Sequence, residues 1–172
     1  PGIALAKKTL GFCYIWTSQN EKGVELCLEA NDIFKTLRDK KNGSSVYVIL
    51  GTNFYFLSDY ETALKCYKIG YDLAAKISDA GMMADALNGI GTVFYTTEQN
   101  TKALSSLIEA EKIARKNKLN STLVKILEGL GETYLNLKKY DKAILYFSNC
   151  VKLTSKLKGL AQVKAYACDG LG

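Results

Sequence analysis

Apolar side chains recur along this chain at three- and four-residue intervals, the spacing of one face of an α-helix. The pattern is cleanest from Leu123 to Leu157. Leu123, Leu127, Leu130, Tyr134 and Leu137 share a face of one helix. Ala143, Phe147, Cys150, Thr154 and Leu157 share a face of the next, with Ile144 and Val151 beside them. The polar LKKYDK segment between them is a turn. Two helices folded back in this way cannot bury both stripes by themselves, so the hairpin needs stacked neighbours.

The rest of the chain supplies them. Leu10-Gly11, Leu50-Gly51, Ile90-Gly91 and Leu130-Gly131 fall 40 residues apart. Three positions after each glycine stands an aromatic: Tyr14, Phe54, Phe94, Tyr134. Twelve positions after stands a small residue (Gly23, Ala63, Ala103, Ala143), and sixteen after stand Cys27, Tyr67, Leu107 and Phe147. Nineteen after come Ala30, Gly70, Ala110 and Cys150. A fixed period of this size marks a repeat array. Glycine inside a helix costs about 1 kcal/mol relative to alanine, so its return at one phase implies a steric reason, the close approach of two helices.

The pattern predicts helices over 3–16 and 21–38, 45–57 and 60–77, 82–96 and 101–117, and then the 123–157 hairpin. Ser18 with Glu21, and Ser58 with Glu61, have the spacing of capping boxes. The polar stretches 39–44, 78–81 and 118–121 read as loops between pairs. After a turn at Lys158-Gly159, a helix from Leu160 ends in Gly170-Leu171-Gly172, which matches the start of a fifth copy shifted by one residue. The chain lacks an initiator methionine and stops within that helix, so the sequence reads as a fragment of a longer array.

The order Leu-Gly, aromatic, Ala, aromatic, Ala resembles the tetratricopeptide repeat, and the resemblance covers essentially the whole chain. The family's usual unit is roughly 34 residues; the 40-residue unit here resembles the long-helix variants of signalling and regulatory proteins. The resemblance implies an all-α fold: a right-handed superhelical α-solenoid of antiparallel helix pairs, four repeats plus the first helix of a fifth. It would form one domain over 1–172, with repeats at about 3–39, 43–78, 82–117 and 121–157 and a partial unit at 160–172. The first copy departs from the family pattern with Lys7, Gly23 and Cys27, which predicts looser packing there.

Composition narrows the function. The only proline is Pro1, so nothing interrupts helices inside the chain. No apolar run approaches the roughly 20 residues that span a bilayer. The chain has no histidine, which removes Ser-His and Cys-His nucleophile pairs and the usual general base near neutrality. The recurring Gly-x-Gly falls inside helices, not after a strand, so it reads as packing and not as a phosphate cradle. Five cysteines without a Cys-x-x-Cys pair, most of them on apolar stripes, read as buried free thiols in a reducing, cytoplasmic setting. No cofactor and no metal site is expected, and no catalysis within this segment. The net charge of +6 comes from scattered lysines and reads as a solvated face before a nucleic-acid footprint.

What remains is a surface. The resemblance implies that the first helices of successive pairs line a concave face that takes extended or helical peptides. The family's groove positions map onto Lys8, Phe12, Ile15 and Trp16 in the first copy and Ser45, Val48, Thr52, Tyr55 and Phe56 in the second. They map onto Asp85, Asn88, Thr92, Tyr95 and Thr96 in the third, and Lys125, Glu128, Glu132, Leu135 and Asn136 in the fourth. One end of that groove is aromatic and the other acidic, and Asn88 and Asn136 suit a peptide backbone. The basic clamp of chaperone-tail adaptors is absent: Lys8 matches its first position, but Phe12, Thr52, Asn88 and Thr92 occupy the others. The leading expectation is a non-catalytic protein- or peptide-binding module, the interaction or sensory part of a larger signalling protein. The alternatives are an oligomerisation scaffold that self-associates through its array ends, and a nucleic-acid-binding solenoid.

Overall fold

The computed structural model describes residues 1–157. Among these, eight helices follow one another: α1 (Gly2–Trp16), α2 (Asn20–Thr36), α3 (Lys40–Phe56), α4 (Tyr60–Lys76), α5 (Ala80–Thr96), α6 (Asn100–Lys116), α7 (Asn120–Asn136) and α8 (Tyr140–Lys156). The fold is all-α, four antiparallel pairs stacked as a solenoid. The fifth-copy helix from Leu160, the Gly170-Leu171-Gly172 motif and Cys168 lie outside the described residues.

Every helix packs on its neighbours in sequence, and each odd-numbered helix also packs on the next odd one. No even-numbered helix touches another even one among the described residues. The odd helices therefore form the close inner layer and the even helices the splayed outer one, and this difference curves the array around α1, α3, α5 and α7.

The repeat glycine is where each pair closes. A Cβ on Gly11 would lie 2.4 Å from Cys27 Sγ, and one on Gly51 2.7 Å from the Tyr67 ring. One on Gly91 would lie 2.6 Å from Leu107, and one on Gly131 2.8 Å from the Phe147 ring. The residue sixteen places later thus fills the space that the missing side chain leaves, and shape matching replaces a fixed partner type. The first pair is closed at its glycine like the others, although α1 buries only Ala4 and Gly11. Its Cys27 is fully buried against Gly11, Gly23 admits the Asn53 amide of the next repeat, and Lys7 pairs with Glu29.

Several sequence expectations need correction. Helices begin earlier than the polar stretches suggested, and every connection is three residues long. Residues 40–44 belong to α3, where Asp39 accepts from the Asn42 N–H at 3.0 Å and the Ser44 hydroxyl donates to Gly70 O at 2.8 Å. The capping boxes are not formed: Ser18 and Ser58 have positive φ, and the α4 cap is Asp59, which accepts from the Thr62 N–H. Of the described cysteines, Cys27, Cys66 and Cys150 are buried but Cys13 is exposed. Ile144 is also exposed, because the α8 stripe turns towards α7 through Ala143, Phe147 and Cys150.

Candidate functional site: the concave groove

The inner layer encloses a groove of about 810 Å³ running from α1 to the start of α7. The first helix lines it with Lys8, Phe12, Ile15 and Trp16; α3 adds Ser45, Val48, Thr52, Tyr55 and Phe56. Asp85, Asn88 and Thr92 enter from α5 and Lys125 from α7. These positions recur on one face because odd helices keep the same rotation in each repeat. Tyr95, Thr96, Glu128, Glu132, Leu135 and Asn136 do not line this groove; they lie further along the inner helices.

Sequence reasoning missed Thr9, Ile49, Met82, Gly89 and Tyr67 as lining residues. Tyr67 is the informative one, because it comes from an outer-layer helix. It reaches the groove floor through a gap left by two glycines: a Cβ on Gly51 or Gly89 would lie 2.7 Å or 2.4 Å from its ring. The signal was the Gly89-x-Gly91 pair, whose first glycine serves the preceding repeat. The Thr52 hydroxyl donates to Val48 O at 3.0 Å, which leaves it to accept the Tyr67 phenol at 3.0 Å. Burial pushes the Tyr67 phenol up to about 12, so it stays protonated and donating.

The α1–α3 end is aromatic. Phe12 and Trp16 meet edge to face with centroids 6.3 Å apart, and Tyr55 and Phe56 do the same at 5.3 Å. Phe12, Phe56 and above all Trp16, 75% exposed, present apolar surface to solvent. Tyr55 is held by its hydroxyl contact with Thr96 at 3.0 Å, which ties α3 to α5.

Polar groups sit deeper along the groove. Lys8 Nζ donates to Asn42 Oδ1 at 2.8 Å, and burial lowers its pKa against the pull of Asp39. Thr92 donates to Asn88 O, while the buried Asn88 Oδ1 has no hydrogen-bond partner. The Oδ1 atoms of Asn20, Asn53 and Asn100 are in the same state. Burial raises the Asp85 carboxyl, partly offset by Lys125 and by the Thr122 hydroxyl at 3.1 Å. Further along α7, burial and then the neighbouring Glu132 push Glu128 up to about 7; burial also raises Glu132. Neither glutamate has an ion-pair partner among the described residues.

No group of three or more Cys, Asp or Glu side chains among the described residues is placed to hold a metal ion. No helix among them is long and apolar enough to cross a membrane.

Comparison with known proteins fits this geometry. A tetratricopeptide-repeat profile matches residues 124–157. Tetratricopeptide repeat protein 29 of Macaca fascicularis and that of Homo sapiens are each 25% identical over 140 residues, 81% of this chain and 30% of their own length. The chain thus spans 30% of the curated relatives it matches. The crystal structure of Aspartyl phosphate phosphatase F from Bacillus subtilis superposes with a TM-score of 0.86 at 19% identity, covering 95% of this chain and 43% of that one. A Rap protein complexed with Competence and Sporulation Factor gives 0.83 at 18% identity, covering 96% and 52%. Both structural likenesses are likenesses of fold.

Proposed function

We propose that this chain, a tetratricopeptide-repeat protein, is a non-catalytic module that binds a protein or peptide client in its concave groove, as the interaction or sensory part of a larger signalling or regulatory protein. The observation that carries this reading is the open aromatic end of the groove. Phe12, Trp16 and Phe56 stay solvent-exposed along the groove. Exposed aromatics around a groove are the usual anchors of recognition surfaces. A neighbour of the same fold is a Rap protein that was crystallised with Competence and Sporulation Factor, which supports client binding as the use of this architecture.

The chemistry of the face describes the client. An apolar or aromatic side chain seats between the Phe12–Trp16 and Tyr55–Phe56 pairs, and a client that extends beyond the groove along α7 brings a cationic group to Glu128 and Glu132. The test is capture of clients from the source organism, identified by mass spectrometry, followed by titration with the purified client. Phe12→Ala with Phe56→Ala removes two exposed side chains that support little of the core, and affinity is expected to fall about 100-fold or more. Undiminished affinity with an unchanged melting curve would place the client elsewhere. Binding of nucleic acid that weakens steeply with salt would instead support the lysine-based alternative.

A further inference from the structure

The groove-facing residues fall into register from one copy to the next. Phe12, Thr52 and Thr92 stand 40 residues apart, so they share one level across α1, α3 and α5, a turn short of Trp16 and Phe56. The Tyr67 phenol reaches the groove from α4, through the gap that Gly51 and Gly89 leave around its ring, and meets Thr52 at this level. The floor beside Phe12 is therefore made of hydroxyl groups: Thr52 and Thr92, each half-buried, and Tyr67, 4% exposed.

A hydroxyl has a single proton to donate, and here each is already engaged. Thr52 donates to Val48 O and Thr92 to Asn88 O, both at 3.0 Å, each to a carbonyl one turn back on its own helix. With the Thr52 proton so placed, the 3.0 Å contact between Thr52 and Tyr67 takes the phenol proton. These hydroxyls have no proton left to offer, while lone pairs remain on their oxygens. A group that covers them without donating strips away water and returns nothing. The charges of the lining do not favour a cation: Lys8 and Lys125 stand against Asp85, and Glu132, next at the same level, lies beyond the groove. A peptide backbone brings a carbonyl with every N–H. Among side chains, the indole of tryptophan has an N–H and no acceptor, carried on a large apolar body.

We infer, on the reading of the groove proposed above, that Thr52, Tyr67 and Thr92 form a subsite for the indole of a client tryptophan, its N–H donating to these oxygens and its rings lying beside Phe12. Phenylalanine or leucine would fill the same apolar space but leave the oxygens without a donor. The two parts of Tyr67 have separate tasks. Its ring fills the gap at Gly51 and Gly89, and its hydroxyl takes part in the choice of anchor.

The test titrates indole, and benzothiophene as its isostere without an N–H, into the 172-residue chain. Binding is read from the methyl chemical shifts of residues 52 and 92. Indole is expected to bind about 10-fold more tightly. Tyr67→Phe with Thr52→Val keeps the ring in its gap and the shape at position 52 while removing both hydroxyls of the Thr52–Tyr67 contact. In that variant the two affinities should converge, with benzothiophene binding as before and the melting curve close to that of the native chain. Equal affinities in the native chain overturn the inference and leave the groove reading standing, a comparison that holds even where the variant fails to fold. A preference for indole that survives in the folded variant puts the N–H on another acceptor and overturns the subsite as well. Binding of neither probe would sink the groove reading along with it, since the aromatic end would then hold no apolar ring.

Discussion

Ser18, Arg38, Ser58, Ser78, Glu98, Lys118 and Lys138 all hold φ between 53° and 61°, and none is glycine. Each closes its helix in the same way. The N–H of the left-handed residue donates three residues back, as Ser78 to Ala75 O at 3.1 Å, and the next N–H five back, as Asp79 to Ala74 O at 3.0 Å. The closure is made of backbone, so the side chain carries no trace of it, and that is why Ser18 and Ser58 read as N-caps in the sequence. An L-residue in this region costs roughly 1–2 kcal/mol that glycine avoids, partly offset by the greater freedom of glycine when unfolded. Ser78→Gly should therefore raise stability by about 0.5–1 kcal/mol in urea denaturation; a loss would mean that the Ser78 side chain contributes something its geometry does not show.

Glu128 gives a second prediction at this scale. Its pKa, raised by burial and Glu132 to about 7, lies above the ordinary 4.5 of the unfolded chain. Between those values the native state binds the extra proton, so the contribution of this residue to stability falls as pH rises from about 4.5 to 7 and stays low above. Partial solvent access limits the effect to roughly 1–2 kcal/mol. Glu128→Gln should flatten that part of the stability–pH curve and stabilise the chain at pH 8, read by denaturant midpoints at both ends of the range. The same deprotonation makes a cationic client bind more tightly above pH 7 than below it, a dependence that Glu128→Gln should abolish.

At the level of the helices, seventeen residues and a three-residue link repeat from α2 onwards, so the 40-residue period in the glycines is two helical units and not one loosely joined hairpin. The periodicity made the pairing of helices and the identity of each close contact legible, because burial selects residue type at every turn. It hid the helix starts: Asp39 and Asp79 cap, and the polar first turns that follow look like loop in a one-dimensional reading. The Gly131–Phe147 contact separates two opposed effects. Glycine to alanine gains about 1 kcal/mol of helix propensity, but a Cβ there would lie 2.8 Å from the Phe147 ring, which is buried and cannot swing away. Sterics should win in the native background, with Gly131→Ala costing about 1–3 kcal/mol. In a Phe147→Ala background the space is open and the same change should become stabilising. A cost that persists there would locate the clash in the helix backbones instead.

Across the whole molecule, the inner layer gathers the groove and the outer layer supplies its floor only at Tyr67. Thirteen of the nineteen groove positions mapped from the sequence line that one groove, because rotation about each helix axis follows from the repeat phase. The position of Glu128 and Glu132 beyond it did not follow, since curvature is set by which layers touch and no single residue encodes that. Packing is also uneven along the array. Only Ala4 and Gly11 are buried in α1, whereas α7 buries Leu123, Val124, Ile126, Leu127, Leu130, Gly131, Thr133 and Tyr134. In a solenoid, stability is a sum over neighbouring contacts, so within the 172-residue chain α1 should open before α7. Native-state hydrogen exchange should find the α1 amides opening at a free energy lower than those of α7 by about 2 kcal/mol or more. The aromatic anchors Phe12 and Trp16 ride on this weakest helix, so a client that docks there must pay for ordering it and will then hold it. Saturating client should slow exchange in α1 before any other helix. Protection that rises first in α7 would place the client on the acidic stretch instead, with the aromatic end left free.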